Sequence, residues 1–168
     1  MANEANQRQA ISNQLARDPI NRRLRIIRAF VLPLRGPAGI RRIPVAHYSV
    51  GDEPGVDVPM LSHLWSVEGI VDERTIPIAI PAIRQRRGWV VYNIWFIRPS
   101  NPNPPPNPFI LNLNLVPRVS GEFVVIRQTP DATRLMDVRE ADYRAMEAAI
   151  IRLVRLLFNG DPRWRQVR

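Results

Sequence analysis

The chain has 168 residues, 45% of them hydrophobic and 23% charged, with a net charge of +9. That is enough for one domain with a real core, and too apolar for a disordered polyelectrolyte. It has no cysteine and only His47 and His63, which excludes disulfides, thiolate metal sites and cysteine nucleophiles and leaves no basis for a histidine-rich metal centre.

All 24 basic residues are arginine, so every cation is a permanently charged planar fork suited to phosphate or carboxylate. Isoleucine and asparagine are plentiful, which argues against a GC-rich genome as the cause. A coding constraint such as an overlapping reading frame, or selection against lysine modification, remains, and both lean toward a virus or an intracellular effector. No apolar run approaches the roughly 18 residues that span a bilayer. The start, Met1 to Ala10, is too polar for a secretory signal, so a cytoplasmic location is expected: the host cytoplasm or a virion if the protein is viral.

Residues Ala2 to Asp18 place Ala10, Ile11, Leu15 and Ala16 among polar residues, the pattern of a short, weakly amphipathic helix ending before Pro19. Asn21 to Leu32 reads as a strand, with Leu24, Ile26, Arg28, Phe30 and Leu32 on one parity; a helix is the alternative. Gly36 to Gly39 is a turn, and Ile43 to Val50 is a strand in which Pro44 forces an edge or irregular position. Gly51 to Pro59 is acidic and turn-rich. Ser62 to Val71 alternates as a half-buried strand, with Trp65, Val67 and Val71 on one side.

Thr75 to Ile83 carries Pro77 and Pro81 and so reads as an edge strand. From Trp89 to Ile97 both parities are apolar, Asn93 apart, so a strand here buries both faces. Pro99 to Pro108 is a stiff polyproline-like connection. Phe109 to Leu115 alternates apolar residues with Asn112 and Asn114, as a strand does, and Phe123 to Gln128 is another strand. The last element is a helix. Asp137 and Glu140 have capping-box spacing, Tyr143, Met146, Ile150, Leu153 and Leu157 recur at helical spacing, and Asn159-Gly160 stops it.

The expected fold is a single α+β domain over 1–168, built on an antiparallel β-sheet or β-sandwich, jelly-roll-like in one version. It comprises an N-terminal helical arm (1–20), a β core (22–128), a C-terminal helix (137–159) and a basic tail (160–168).

Charge is segregated. Residues 1–49 hold nine arginines against Glu4 and Asp18; 50–73 hold six acids and no arginine; 74–121 hold six arginines and no acid. The candidate phosphate contacts are Arg22, Arg23, Arg25, Arg28, Arg41, Arg42, Arg84, Arg86 and Arg87, with Arg163, Arg165 and Arg168 in the tail; such contacts are non-specific and salt-dependent. The competing reading pairs these arginines with acids of 50–73, inside the fold or across a subunit contact. Trp164, between Arg163 and Arg165, is a candidate for stacking on unpaired bases or an anchor for the tail, whereas Trp89 and Trp95 read as core. The wide apolar arc of the last helix covers the sheet or, through Tyr143, Met146, Ile150, Leu153 and Leu157, joins a second copy.

Enzyme signatures are missing: no Gly-rich phosphate loop, no nucleophile elbow, no zinc-protease motif. The expectation is a protein without catalysis, cofactor or metal, binding nucleic acid, RNA more than DNA, as a homo-oligomer. A host protein is a further expected partner. The alternative is a protein-interaction or effector module whose arginines meet acidic partner surfaces.

The order Trp65-Ser-Val-Glu-Gly-Ile-Val-Asp-Glu-Arg74, then the strand from Trp89, then Pro108-Phe-Ile-Leu-Asn-Leu-Asn-Leu-Val116 distantly resembles the core of plant-virus 30K-type movement proteins. These are similar in fold to jelly-roll coat proteins. The resemblance covers about a third of the chain. It implies single-stranded nucleic-acid binding by a viral coat, movement or silencing-suppressor type of protein, and for Asp72 a structural or transport role.

Overall fold

The computed structural model describes residues 23–48, 55–83, 86–101, 104–113 and 119–160. The expected N-terminal arm (1–20) and the tail from 161 onward lie outside the described residues.

The chain forms one curled antiparallel sheet. Its strands are β1 (Arg23–Leu32), β2 (Gly39–Tyr48), β3 (Val56–Pro59), β4 (Gly69–Ile83), β5 (Arg86–Pro99) and β6 (Glu122–Gln128), with a short β7 (Leu135–Met136) on β6. The spatial order is β3-β2-β1-β6-β5-β4. Helix α1 (Pro108–Asn112) lies between β5 and β6, and helix α2 (Tyr143–Gly160) follows a 3-10 turn at Glu140–Asp142.

The doubly apolar strands explain the layering. On β5 and β6, Tyr92, Ile94, Phe96, Phe123 and Val125 face one way and join Phe30, Leu32 and Ile76 beneath α2, which contributes Met146, Ala149, Ile150, Leu153, Val154 and Leu157. Trp95, Val124 and Ile126 face the other way with Ile27, Ala29, Val31, Ile43 and Val45, against Leu61, Leu64, Trp65 and Leu135. Apolar side chains on both faces of a strand are thus satisfied by a helix on one side and loops on the other. Of the two expected architectures the antiparallel sheet is the one found; the β-sandwich or jelly-roll is not, since no second sheet occurs among the described residues.

The expected edge character of the proline-bearing strand is seen in β4, the outermost strand. The doubly buried strand is β5, paired on both sides. In β2, Pro44 sits inside the sheet, at the end of the β3 ladder, where only its carbonyl is used, accepting the Met60 N–H at 2.9 Å.

Four expectations change. Of the strand expected over Phe109 to Leu115, the described part, Phe109 to Leu113, is not a strand: Asn107 caps α1 by accepting the Phe109 and Ile110 N–H groups, and Pro108 enters the first turn, where its missing N–H costs nothing. The strand expected from Ser62 begins only at Gly69, and residues 62–64 turn so that Leu64 and Trp65 lie over the sheet. Val56–Pro59, read as turn-rich, is an edge strand. The Asp137–Glu140 box does not cap the helix. Asp137 instead accepts the Arg28 N–H at 2.8 Å, and Asp142 accepts the Arg139 N–H at 2.9 Å.

Two buried polar residues fix the loops. Asn107 also donates to the carbonyls of Leu32 and Gly121 at 3.1 and 2.8 Å. Glu122 accepts from the Leu34 N–H and from both the N–H and hydroxyl of Ser66. Beside it Gly121 has φ +111°, and a Cβ there would lie 2.3 Å from the Ile97 carbonyl oxygen, so only glycine fits.

Candidate nucleic-acid interface

The β1–β2 hairpin decides how the arginines face, because successive residues of a strand point to opposite sides. Arg28 stands directly opposite Arg42. Both are exposed, on the face that carries Phe30 and, further along, α2. Neither guanidinium has an ion pair among the described residues. Two like charges on facing cross-strand positions are destabilising in isolation. Along the same face β1 continues into Ile26 and Leu24, 52% and 49% exposed, opposite Pro44 and Ala46. An unopposed cation pair therefore adjoins an apolar strip.

Arg41 takes the other parity and points to the opposite face, its Nη2 donating to the Pro37 carbonyl at 3.4 Å. The candidate arginines of this hairpin are thus divided between two faces and form no single groove.

Arg25 is committed within the fold. Its guanidinium donates to Asp57 and to the Leu135 carbonyl. Asp57, its side chain buried, also meets His47 Nδ1 at 2.9 Å and accepts the Leu135 N–H at 2.8 Å. Burial alone would raise the Asp57 carboxyl; the hydrogen bonds from His47, Leu135 and Arg25, with the charge of Arg25, outweigh it and hold the group below its ordinary value. The cluster ties β1, β2, β3 and β7 together. Arg98 pairs with Asp72 at 2.8 Å and Arg127 with Asp142 at 3.7 Å. Part of the charge alternation in the sequence is therefore spent on internal pairs.

Strand direction assembles a second set. β5 runs parallel to β1, both being antiparallel to β6, so Arg23 and the pair Arg86 and Arg87 start their strands at the same end of the sheet. Arg22, Arg84, Arg163, Trp164, Arg165 and Arg168 lie outside the described residues. At this same end Trp89, read from sequence as core, is 58% exposed. It faces the small Ala79 across the β4–β5 hairpin, which projects beyond the last β6 partner, Gln128 opposite Val91. Its exposure follows from that projection, a long-range feature that apolar alternation does not encode. Trp95 is buried as expected.

On α2, Met146, Ile150, Leu153 and Leu157 are buried against the sheet of their own chain. Tyr143 is half exposed and packs edge-on to Phe30 and Phe109 at 5.6 and 6.5 Å. Sequence reasoning passed over Arg152, which donates to the Pro77 carbonyl at 2.7 Å; its exposed helical position carried no signal that it reaches the sheet edge.

Among the described residues no group of three or more His, Asp or Glu side chains is placed to hold a metal ion, and no helix is long and apolar enough to cross a membrane. No family model, no curated protein and no solved structure matches the chain.

Proposed function

We propose that the protein binds nucleic acid, RNA in preference to DNA, without catalysis, through arginine contacts to phosphate, and works as an assembly of copies. The observation that carries this reading is the Arg28–Arg42 pair: two exposed, facing guanidinium groups with no ion pair among the described residues, the neighbouring Asp137 carboxylate being held by the Arg28 backbone N–H. Such a pair costs stability in the free protein and is relieved by a phosphate placed between the two forks. The exposed indole of Trp89, on the strand that begins with Arg86 and Arg87, adds a surface on which a base can stack. The viral setting, as a coat, movement or silencing-suppressor protein, rests on the lysine-free composition and on the resemblance to movement proteins.

A protein partner is the second reading, favoured by the exposed Leu24 and Ile26 beside the arginine pair. The two separate in one titration of a labelled RNA against the purified chain over a range of salt. Phosphate binding gives a log-log salt dependence whose slope becomes shallower by about one for Arg28→Ala and again for Arg42→Ala. No binding at low salt, or binding indifferent to salt, rejects the nucleic-acid reading and leaves the protein partner.

A further inference from the structure

We infer that the outer edge of β4 is a self-association surface, at which two copies pair antiparallel about Glu73 into one continuous sheet.

The two ends of the sheet differ. At β3 the backbone is answered within the chain: Val56 and Val58 pair with β2, and the outward Asp57 N–H donates to the Thr133 carbonyl at 3.2 Å. β4 is far longer, Gly69–Ile83 against Val56–Pro59. In an antiparallel strand the N–H and C=O of one residue point the same way, and neighbours alternate. Pro77 has no N–H for β5, and its carbonyl is taken by Arg152 of α2, so Pro77 points outward. With an unbroken register from Gly69 to Ile80, Thr75, Glu73 and Val71 point outward too. The far half of β4 is blunted by Pro77, Arg152 and Pro81, devices that natural edges use. The near half has no proline. Among the described residues nothing pairs with the outward backbone of Val71 or Thr75, and on this half Ile70 is 56% exposed.

A second copy suits this half better than an unrelated strand, because the segment complements itself. Centred on Glu73, antiparallel pairing sets Val71 beside Thr75 of the partner in both directions, two β-branched pairs. It sets Asp72 beside the partner's Arg74 and Arg74 beside the partner's Asp72. Ile70 falls in register with the partner's Ile76, whose side chain stays buried beneath its own α2, so Ile70 adds only the cover of a neighbouring strand. The ladder makes about six backbone hydrogen bonds. Arg74, which in one chain folds back onto the Glu73 carbonyl at 2.8 Å, releases that carbonyl to the ladder and comes to lie beside the partner's Asp72, a carboxylate that keeps its internal pair with Arg98. The like-charged Glu73 pair at the axis is the one opposing contact. This surface is independent of the polyanion reading and replaces α2, whose main stripe is buried in its own chain, as the place where copies meet.

Thr75→Pro tests it, since Pro77 shows that an outward position of this strand accepts proline. Light scattering on the full chain is expected to give a dimer for the wild type and a monomer for Thr75→Pro, with circular dichroism and melting temperature retained in the variant. Because the chain has no cysteine, Glu73→Cys is expected to cross-link to itself on oxidation, and Thr75→Cys, displaced from the axis, is not. A wild type that stays monomeric, a dimer indifferent to Thr75→Pro, or equal cross-linking at 73 and 75 overturns the proposal.

Discussion

Asp57 is the residue on which one end of the sheet depends, and it lies in a segment whose acids and glycines read as a turn. Its carboxylate is buried, yet held below its ordinary value because His47, the Leu135 N–H and Arg25 together outweigh the cost of burial. A depressed acid contributes stability that is fully present above its unfolded value, about 3.9, and is lost as pH falls through the lower folded value. Acid unfolding is therefore expected to steepen below pH of about 4 in the wild type. Asp57→Asn removes that dependence while costing about 1–3 kcal/mol at neutral pH; the figure is kept small because Arg25 is partly exposed and solvent screens it. Urea denaturation of both chains at neutral and acid pH measures it, and two parallel pH curves would remove Asp57 from the account.

At the scale of elements, α2 is where sequence and structure agree best, because a 3.6-residue stripe serves only one purpose in a helix over a sheet. Leu153 is fully buried and Leu156 is 54% exposed. Leu153→Ala is thus expected to cost about 2–5 kcal/mol and Leu156→Ala less than about 0.5 kcal/mol, compared by denaturation midpoints. The start of the helix was less legible, since Asp137 and Glu140 have cap spacing but Asp137 serves β1 instead. In α1 the alternation of Phe109, Leu111 and Leu113 imitated a strand, while the local signal, Asn107 before Pro108, was the stronger physical evidence for a helix start. The strands β1, β2, β5 and β6 were legible from periodicity. That they make one sheet, not two, was not, because a strand buried on both faces does not record whether a helix, a loop or another sheet covers it. The candidate site was legible as charge and illegible as geometry: parity separates Arg41 from Arg42, an acid 32 residues away captures Arg25, and a projecting hairpin bares Trp89.

At the scale of the whole molecule, the net charge of +9 opposes compaction through self-repulsion, and internal pairs such as Arg25–Asp57 and Arg98–Asp72 relieve only part of it. The exposed Arg28–Arg42 pair belongs to the part left over. If those arginines serve only solubility, reversing one has no functional consequence. If they serve phosphate, the sequence tolerates their repulsion because the bound state repays it. Arg42→Glu distinguishes the cases, since it turns the facing pair into an attractive one and lowers the net charge by two. The variant is expected to melt higher than the wild type, by up to about 1 kcal/mol of added stability, and at the same time to bind RNA more weakly with a shallower salt slope. Added RNA should raise the melting temperature of the wild type more than that of the variant, because a ligand stabilises the folded state in proportion to its affinity. A variant that is more stable and binds RNA as tightly as the wild type would show the pair to be an unrelieved surface repulsion and would move the interface away from the β1–β2 hairpin.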